Sequence, residues 1–116
     1  MFHLGARYWA TDANGLCSDE DADPVHDQYE CMVAFGFIKS EYPNALNRIG
    51  SSYSSTQKYN PKGCFLTTCL AMYNNKCKIE DERGIAHWNI GTHDPKVSGS
   101  RHKNSRQICK SADKGN

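Results

Sequence analysis

The sequence predicts an α+β fold: a small disulfide-stabilised domain in which one main helix packs on a short antiparallel sheet. Its 116 residues are the size of one domain, and a mean hydropathy of −0.74 leaves room for only a modest core. Six cysteines, an even number, can cross-link such a core. One segment carries helix-start signals, and two apolar runs bounded by turn residues indicate strands. We therefore expect a single disulfide-rich domain over residues 1–110, followed by a tail at residues 111–116.

The stretch Tyr59–Phe65 predicts a sharp turn into the central strand of the sheet. Pro61 restricts its own backbone and favours an extended residue before it. Gly63 can adopt the positive φ that a sharp turn needs, and Cys64 can then anchor the strand covalently. The strands are expected at residues 5–10, 64–72 and 85–90, with a polar bend at Glu80–Gly84 before the last of them.

Residues 24–38 are predicted to form the main helix. Asp23 is a good N-cap, and Pro24 suits the first helical position, where no amide hydrogen is needed. Gly36 weakens the end of the helix, which should stop near Ile38. Apolar residues at helical spacing predict the face that packs on the sheet: Val25, Tyr29, Met32 and Val33.

The cysteines predict an oxidising compartment and three disulfides, because no C-x-x-C pair of the kind found in zinc sites occurs. Cys69 and Cys77 are spaced to pair across a hairpin that turns at Asn74-Asn75. The other four cysteines allow three pairings. Of these we expect Cys31–Cys64, which would tie the helix to the central strand, and Cys17–Cys109, which would join the two ends of the chain.

Charge is distributed unevenly, although the net charge is only +1. Residues 1–41 carry eight acids and two bases, whereas residues 96–116 carry six bases and one acid. Either the two ends lie close together and neutralise each other, or the basic end forms a face for anionic glycans or nucleic acid. The basic residues have no aromatic residues between them for base stacking, which disfavours a nucleic-acid partner.

Acidic residues between positions 19 and 30 have the ligand spacing of an EF-hand calcium loop. The sixth loop position, which needs a glycine, is Pro24, and Asn14-Gly15 stands where the incoming helix would be. The alternative is an acid-rich helix start, since carboxylates are favourable near the N-terminal end of a helix dipole. The sequence favours the helix start and predicts no metal and no cofactor.

Histidines provide the candidates for catalysis. Together with Lys62 or Arg101, they could serve a small secreted hydrolase of the ribonuclease type: His87, His93 and His102. Their spacing does not require them to lie close together, and no G-x-S-x-G or other nucleophile motif accompanies them. We therefore expect a protein that is not an enzyme, with the hydrolase as the alternative.

Several spaced motifs occur along the chain: Tyr59–Cys64, Ala86–Asn89, Ser98–His102, Gln107–Lys110, Cys17 and Glu30–Ala34. Together they resemble a small module common in predicted secreted proteins of algae and other protists. Its pattern reads Y-P-K-G-C-Y, V-Y-F-N, G-S-x-x-S and P-I-C-K, with E-C-x-x-A-A inside an upstream helix. The resemblance covers residues 17–110, and this chain departs from it by adding Cys69 and Cys77. It implies an extracellular or lumenal module without an assigned activity, often one domain of a longer protein.

Two long segments, residues 40–60 and 91–107, are too polar to be core. Loops of this length in a compact domain are usually functional or disordered, and the nearby disulfides would limit the freedom of their ends. We therefore expect a non-catalytic interaction or assembly module, secreted or in another oxidising lumen, without a membrane span. Its partner would be an extracellular protein or carbohydrate, a neighbouring module or a copy of itself. The residues expected to carry the contact are Tyr53, Tyr59, Arg101 and His102.

Overall fold

The computed structural model describes residues 7–13, 15–50, 63–73, 76–89 and 105–111, with the backbone alone for residues 71 and 72. One main helix and a mixed sheet confirm the predicted α+β, disulfide-stabilised fold. The elements in chain order are β1 (Tyr8–Ala10), a 3-10 helix (Cys17–Glu20), β2 (Asp23–Pro24), α1 (Gln28–Ile38), β3 (Leu46–Asn47), β4 (Gly63–Tyr73), β5 (Lys76–Asn89) and β6 (Ser105–Lys110).

The strand β4 lies inside the sheet, between β5 and β6, as the sequence predicts. The strand order is β1-β6-β4-β5-β3, and β2 also pairs with β6. Each described pairing is antiparallel except that of β3 with β5, so the expected antiparallel sheet is correct for its main strands and wrong for this edge. Gly63, where β4 begins, has a φ of 87°, which confirms its predicted use of positive φ.

The strand β6 was not predicted, because its first residues, Ser105, Arg106 and Gln107, are polar. Ser105 and Gln107 are nevertheless buried. The side-chain oxygen of Gln107 accepts a hydrogen bond from the Cys17 amide at 2.7 Å, and the Gln107 amide donates to the Thr11 hydroxyl at 3.2 Å. The polar groups of Gln107 can be buried because they form these hydrogen bonds, with partners that lie far away in the chain.

The helix α1 begins at Gln28 rather than at Pro24, so its predicted start is wrong. Asp27 is the N-cap: its backbone is extended, and its carboxylate accepts a hydrogen bond from the Glu30 amide at 2.6 Å. Asp23 and Pro24 instead form β2, a short strand in which a proline is tolerated. Both aspartates are good N-caps by residue type, and the pairing of β2 with β6 decides between them.

The main core lies where α1 packs on the sheet. Its largest fully buried side chains include Ile38 from α1, Leu66 from β4 and Ile108 from β6. A second, smaller cluster joins the 3-10 helix to the edge of the sheet through Trp9, Cys17, Ala22 and Cys109. A domain of this size has a modest core, and covalent links are expected to matter for its stability.

All three predicted disulfides are confirmed. Cys17–Cys109 spans 92 positions of sequence and Cys31–Cys64 spans 33, and each of these four cysteines is fully buried. Cys69–Cys77 spans only 8 positions and is partly exposed at Cys77. Three disulfides in a small domain are typical of an oxidising, extracellular-type environment.

The far end of the β4–β5 pair forms a two-stranded extension that we call the ribbon, Cys69–Tyr73 with Lys76–Glu80. Tyr73 and Lys76 are register partners, so the predicted hairpin is confirmed, although Asn74 and Asn75 lie outside the described residues. In the described ranges, no third strand pairs with residues 71–73 or 76–79. The expected polar bend at residues 80–84 is wrong, because these residues continue β5.

Candidate functional site

The four residues predicted to carry a contact, Tyr53, Tyr59, Arg101 and His102, lie outside the described residues. The described ends of the segments that carry them are nevertheless informative. Gly63, which follows the first segment, and Asn89, which precedes the second, are direct register partners across β4 and β5. The residue that follows the first segment and the residue that precedes the second therefore lie at the same end of the sheet.

This end of the sheet is held firmly. Cys64 is bonded to Cys31 of α1 and lies opposite Trp88 on β5. Gly63 is buried, and a Cβ there would stand 3.6 Å from the Val25 carbonyl oxygen and 3.7 Å from the Trp88 ring. Because its φ is also positive, a larger residue at position 63 would be strained. The two polar segments thus start from a rigid base.

His87, one of the three candidate catalytic histidines, is a buried residue of β5. Its ring stacks on Phe65 with the ring centroids 5.5 Å apart. Burial, together with the positive charge of Arg48, lowers the pKa of His87 to about 4. The imidazole is therefore neutral near pH 7 and has little access to a substrate. His93, His102, Lys62 and Arg101 lie outside the described residues, so the predicted catalytic group is not seen together.

The acidic run adopts structure that differs from a calcium loop. Asp19 accepts a hydrogen bond from the Leu16 amide at 2.9 Å, and Glu20 accepts one from the Trp9 indole at 3.0 Å. Asp27 caps α1. Across residues 7–13, 15–50, 63–73, 76–89 and 105–111, no group of three or more His, Cys, Asp or Glu is arranged to hold a metal ion. Asp19, Glu20 and Asp27 therefore have local structural roles.

Glu30 links α1 to the sheet. Its carboxylate accepts a hydrogen bond from the Tyr8 hydroxyl at 3.1 Å and lies 3.4 Å from the Lys110 ammonium. Partial desolvation acts to raise the pKa of Glu30, but hydrogen bonds from the His26 amide, Tyr8 and Lys110 outweigh it, so the net effect is a lowered pKa. Lys110 belongs to the basic end and Glu30 to the acidic end, which supports the neutralising alternative for this pair.

The predicted buried face of α1 is wrong. Tyr29 is 77% exposed, Met32 46% and Val33 37%. Val25, the fourth member, is buried but precedes the helix. The face that packs on the sheet carries Cys31, Ala34, Phe35 and Ile38.

The helix therefore has apolar residues on both sides, and its outer side is exposed. Phe37 on that side is 59% exposed even though its ring contacts the Tyr8 ring at 5.2 Å. An isolated exposed apolar residue needs no explanation, whereas a continuous apolar strip on one helix is a candidate contact site. We call this strip the helical surface and define it as Tyr29, Met32, Val33, Gly36 and Phe37.

One signal in the sequence could have identified the helical surface. The same cysteine pairing that ties Cys31 to the central strand turns Cys31 towards the sheet. Residues three, four and seven positions later then face inward with it, and these are Ala34, Phe35 and Ile38. Tyr29 and Val33 lie on the opposite side, so the predicted disulfide and the predicted face were inconsistent with each other.

The ribbon also exposes apolar side chains. Leu70, Tyr73 and Ile79 are 49%, 66% and 48% exposed, and the Lys78 ammonium lies 5.7 Å from the centre of the Tyr73 ring. On β5, Ile79 stands between the charged residues Lys78 and Glu80, which is a common protection of a free sheet edge against uncontrolled pairing. The ribbon is thus a weaker candidate for specific contact than the helical surface.

No protein-family model, curated protein or solved structure matches this chain. None of the helices in the described part of the chain is long and apolar enough to cross a membrane. The fold and surfaces define a small, disulfide-stabilised α+β protein with an apolar helical surface.

Proposed function

We propose that this chain is a non-catalytic, secreted interaction or assembly module that contacts another protein or a carbohydrate. The observation that carries the proposal is the helical surface: a strip of apolar side chains held open to solvent on a rigid support. Solvent exposure of this strip is unfavourable for an isolated chain, and a partner that covers it removes that cost.

The rigidity of α1 supports this proposal. Its first turn is capped by Asp27, is bonded to β4 through Cys31, and is tied to β1 and β6 by Glu30. A surface that is already ordered loses less conformational entropy on binding than a mobile one. A second contact region is proposed in the two polar segments next to Gly63 and Asn89, through Tyr53, Tyr59, Arg101 and His102.

The alternative, a small histidine-based hydrolase, receives less support. A general base works best when its pKa lies near the working pH and when it reaches the substrate. His87 has a pKa of about 4 and is 8% exposed. Of the three candidate histidines, His93 and His102 therefore remain for an acid–base pair.

The experiment compares the whole chain with a variant that carries Tyr53→Ala and Arg101→Ala. The variant should unfold at nearly the same temperature, because neither residue is predicted to be core. It should lose retention of the partner that copurifies from the native source, or of a ligand found on a glycan array. If the double change unfolds the domain, both residues are structural and this part of the proposal is wrong.

A parallel assay addresses the hydrolase. The chain should not hydrolyse RNA or common glycosidic substrates. Turnover that purifies with the protein and disappears in His93→Ala would overturn the non-catalytic proposal, whatever the chain binds.

A further inference from the structure

The six cysteines differ in how far solvent reaches them. All six lie in the described residues, and all are bonded in disulfides. The four cysteines of Cys17–Cys109 and Cys31–Cys64 have no exposed surface. In the ribbon, Cys69 is 8% exposed and Cys77 is more exposed than Cys69. Because attack of a thiolate on a disulfide needs access to a sulfur, the ribbon disulfide is the one that a thiol can reach in the folded chain.

Cys77 also lies on an open edge of the sheet. In the described ranges, residues 76–79 of β5 pair with β4 alone, since β3 pairs with β5 only at Ile85 and Ala86. A thiolate approaches a sulfur in line with the S–S bond, from the side away from the other sulfur. Cys69 is on β4, so this side of Cys77 is the outer side of β5. We therefore expect attack at the Cys77 sulfur.

Opening the ribbon disulfide leaves the core in place. Neither buried cluster includes a ribbon residue whose side chain the structure describes. The Cys31–Cys64 disulfide, in contrast, belongs to the main cluster. Both cysteines of the third disulfide belong to the second cluster. A reductant reaches these two bonds only after a packed cluster has opened, whereas the ribbon bond can break while both clusters stay packed.

We propose that Cys69–Cys77 is a site of thiol–disulfide exchange that opens and closes while the domain stays folded, with a dithiol as the reductant. A thiolate of the dithiol attacks the Cys77 Sγ, and the Cys69 Sγ leaves with the electron pair of the S–S bond and takes up a proton. The second sulfur of the dithiol then displaces the Cys77 Sγ from the mixed disulfide, and this sulfur also takes up a proton. The chain gains two electrons and two protons, and the dithiol becomes a disulfide.

The short loop of the ribbon makes the exchange reversible. Only 8 positions separate the two cysteines, so the freed thiols meet often and form the same bond again on oxidation. A hairpin without a cross-link is marginally stable in water, so the reduced ribbon opens more often than the oxidised one. The redox state of this bond therefore controls the order of the exposed side chains of Leu70, Tyr73 and Ile79. This inference goes beyond the proposed contact function, since it needs no partner on the helical surface.

The first test adds dithiothreitol to the folded whole chain without denaturant. Free thiols are blocked with iodoacetamide at intervals, and the modified peptides are mapped by mass. Cys69 and Cys77 should be modified at least about tenfold faster than the four buried cysteines, while tryptophan fluorescence keeps its folded value. Modification of all six cysteines at one rate, or of a buried pair first, overturns the proposal.

Urea separates exchange in the folded chain from exchange through unfolding. Below the unfolding midpoint, the reduction rate of the ribbon disulfide should change by less than about twofold. The rates of the two buried disulfides should instead rise with the unfolded fraction, since their sulfurs are reached only after opening. A ribbon rate that follows the unfolded fraction overturns the proposal.

Single changes test which sulfur is attacked. Cys69→Ser leaves the Cys77 thiol and Cys77→Ser leaves the Cys69 thiol, and mass mapping of non-reduced peptides verifies the two buried disulfides in each variant. Reaction with an aromatic disulfide reagent is followed against pH, so that the two rates are compared per thiolate. The Cys77 thiolate should react at least about fivefold faster. An equal or faster rate for Cys69 overturns the assignment of Cys77 as the attacked sulfur.

The source of the dithiol is tested by comparing two reductants at equal concentration. Dithiothreitol represents a small-molecule dithiol, and reduced thioredoxin represents a protein dithiol. Faster reduction of the ribbon bond by the protein supports exchange with a reductase, and faster reduction by the small molecule supports exchange without one. Failure of both to reduce this bond in the folded chain overturns the proposal. The polar-segment contact is unaffected by that failure, since it is tested by Tyr53→Ala with Arg101→Ala.

Discussion

The body of the domain and the ribbon use disulfides differently. In the body, Cys31–Cys64 and Cys17–Cys109 are buried among packed side chains, and the strands around them have neighbours on both sides. In the ribbon, Cys69–Cys77 joins two strands that pair with each other, and its short loop is surrounded by exposed residues. A two-stranded hairpin alone is only marginally stable in water. The body disulfides therefore add to a core, whereas the ribbon disulfide takes the place of one.

The largest effect is expected from removing the disulfide between the 3-10 helix and β6. Cys17→Ala with Cys109→Ala releases a 92-position loop, which corresponds to about 5 kcal/mol in the chain-entropy description, and also loosens a fully buried contact. Urea unfolding should show a loss near this size, or a chain that fails to fold at 37 °C. A loss no larger than that of the matched ribbon variant would contradict the distinction between the two regions.

Acid is expected to weaken the body through His87. Its folded pKa of about 4 lies below the ordinary value of 6.5, so between these pH values the unfolded chain binds more protons. The corresponding stability is fully present above pH 6.5 and falls as the pH drops towards 4, by about 2 kcal/mol at pH 5.

Urea unfolding of the wild-type chain at pH 7.5 and pH 5 measures this loss. His87→Phe, which keeps a ring against Phe65 but does not titrate, should remove most of the difference between these two pH values. Glu30 does not interfere in this range, since its lowered pKa keeps its stabilising contribution present above about pH 4.5, and this contribution is lost only as the pH falls below that value. An unchanged pH dependence in His87→Phe would assign the acid sensitivity to other groups.

The junction between body and ribbon gives a smaller effect. Gly84 has a φ of 85°, and a Cβ there would stand 3.4 Å from the Leu66 side chain. Gly84→Ala should therefore destabilise the body by about 1–2 kcal/mol through backbone strain. Glu82→Ala, two positions nearer the ribbon and exposed, serves as the control and should change unfolding by less than about 0.5 kcal/mol. Equal effects of the two changes would show that position 84 is not strained.

The smallest effect on global unfolding is expected for the ribbon disulfide. Cys69→Ala with Cys77→Ala frees an 8-position loop, but the opened ribbon gains this freedom in the folded chain as well as in the unfolded one. The midpoint of urea unfolding should correspond to a change below about 1 kcal/mol, while amide exchange of Lys76–Ile79 should become much faster. Unchanged exchange would show that strand pairing alone holds the ribbon.

The candidate site was predictable only in part. Residue types and spacing predicted that polar segments would carry Tyr53, Tyr59, Arg101 and His102, and these assignments stay predictions. The helical surface was expected to be core, because periodicity detects an apolar stripe without showing which side of the helix is covered.

The sequence by itself determined the features that depend on neighbours in the chain or on covalent chemistry. Gly63 takes positive φ, Tyr73 and Lys76 close a hairpin, and the cysteines pair as expected. Only the tertiary structure decided that Asp27 caps α1 and that Ser105 and Gln107 enter a buried strand. The physical reason is that each of these depends on the hydrogen bonds and packing of residues far away in the chain, whose energies outweigh local preference and are not visible in a short window of sequence.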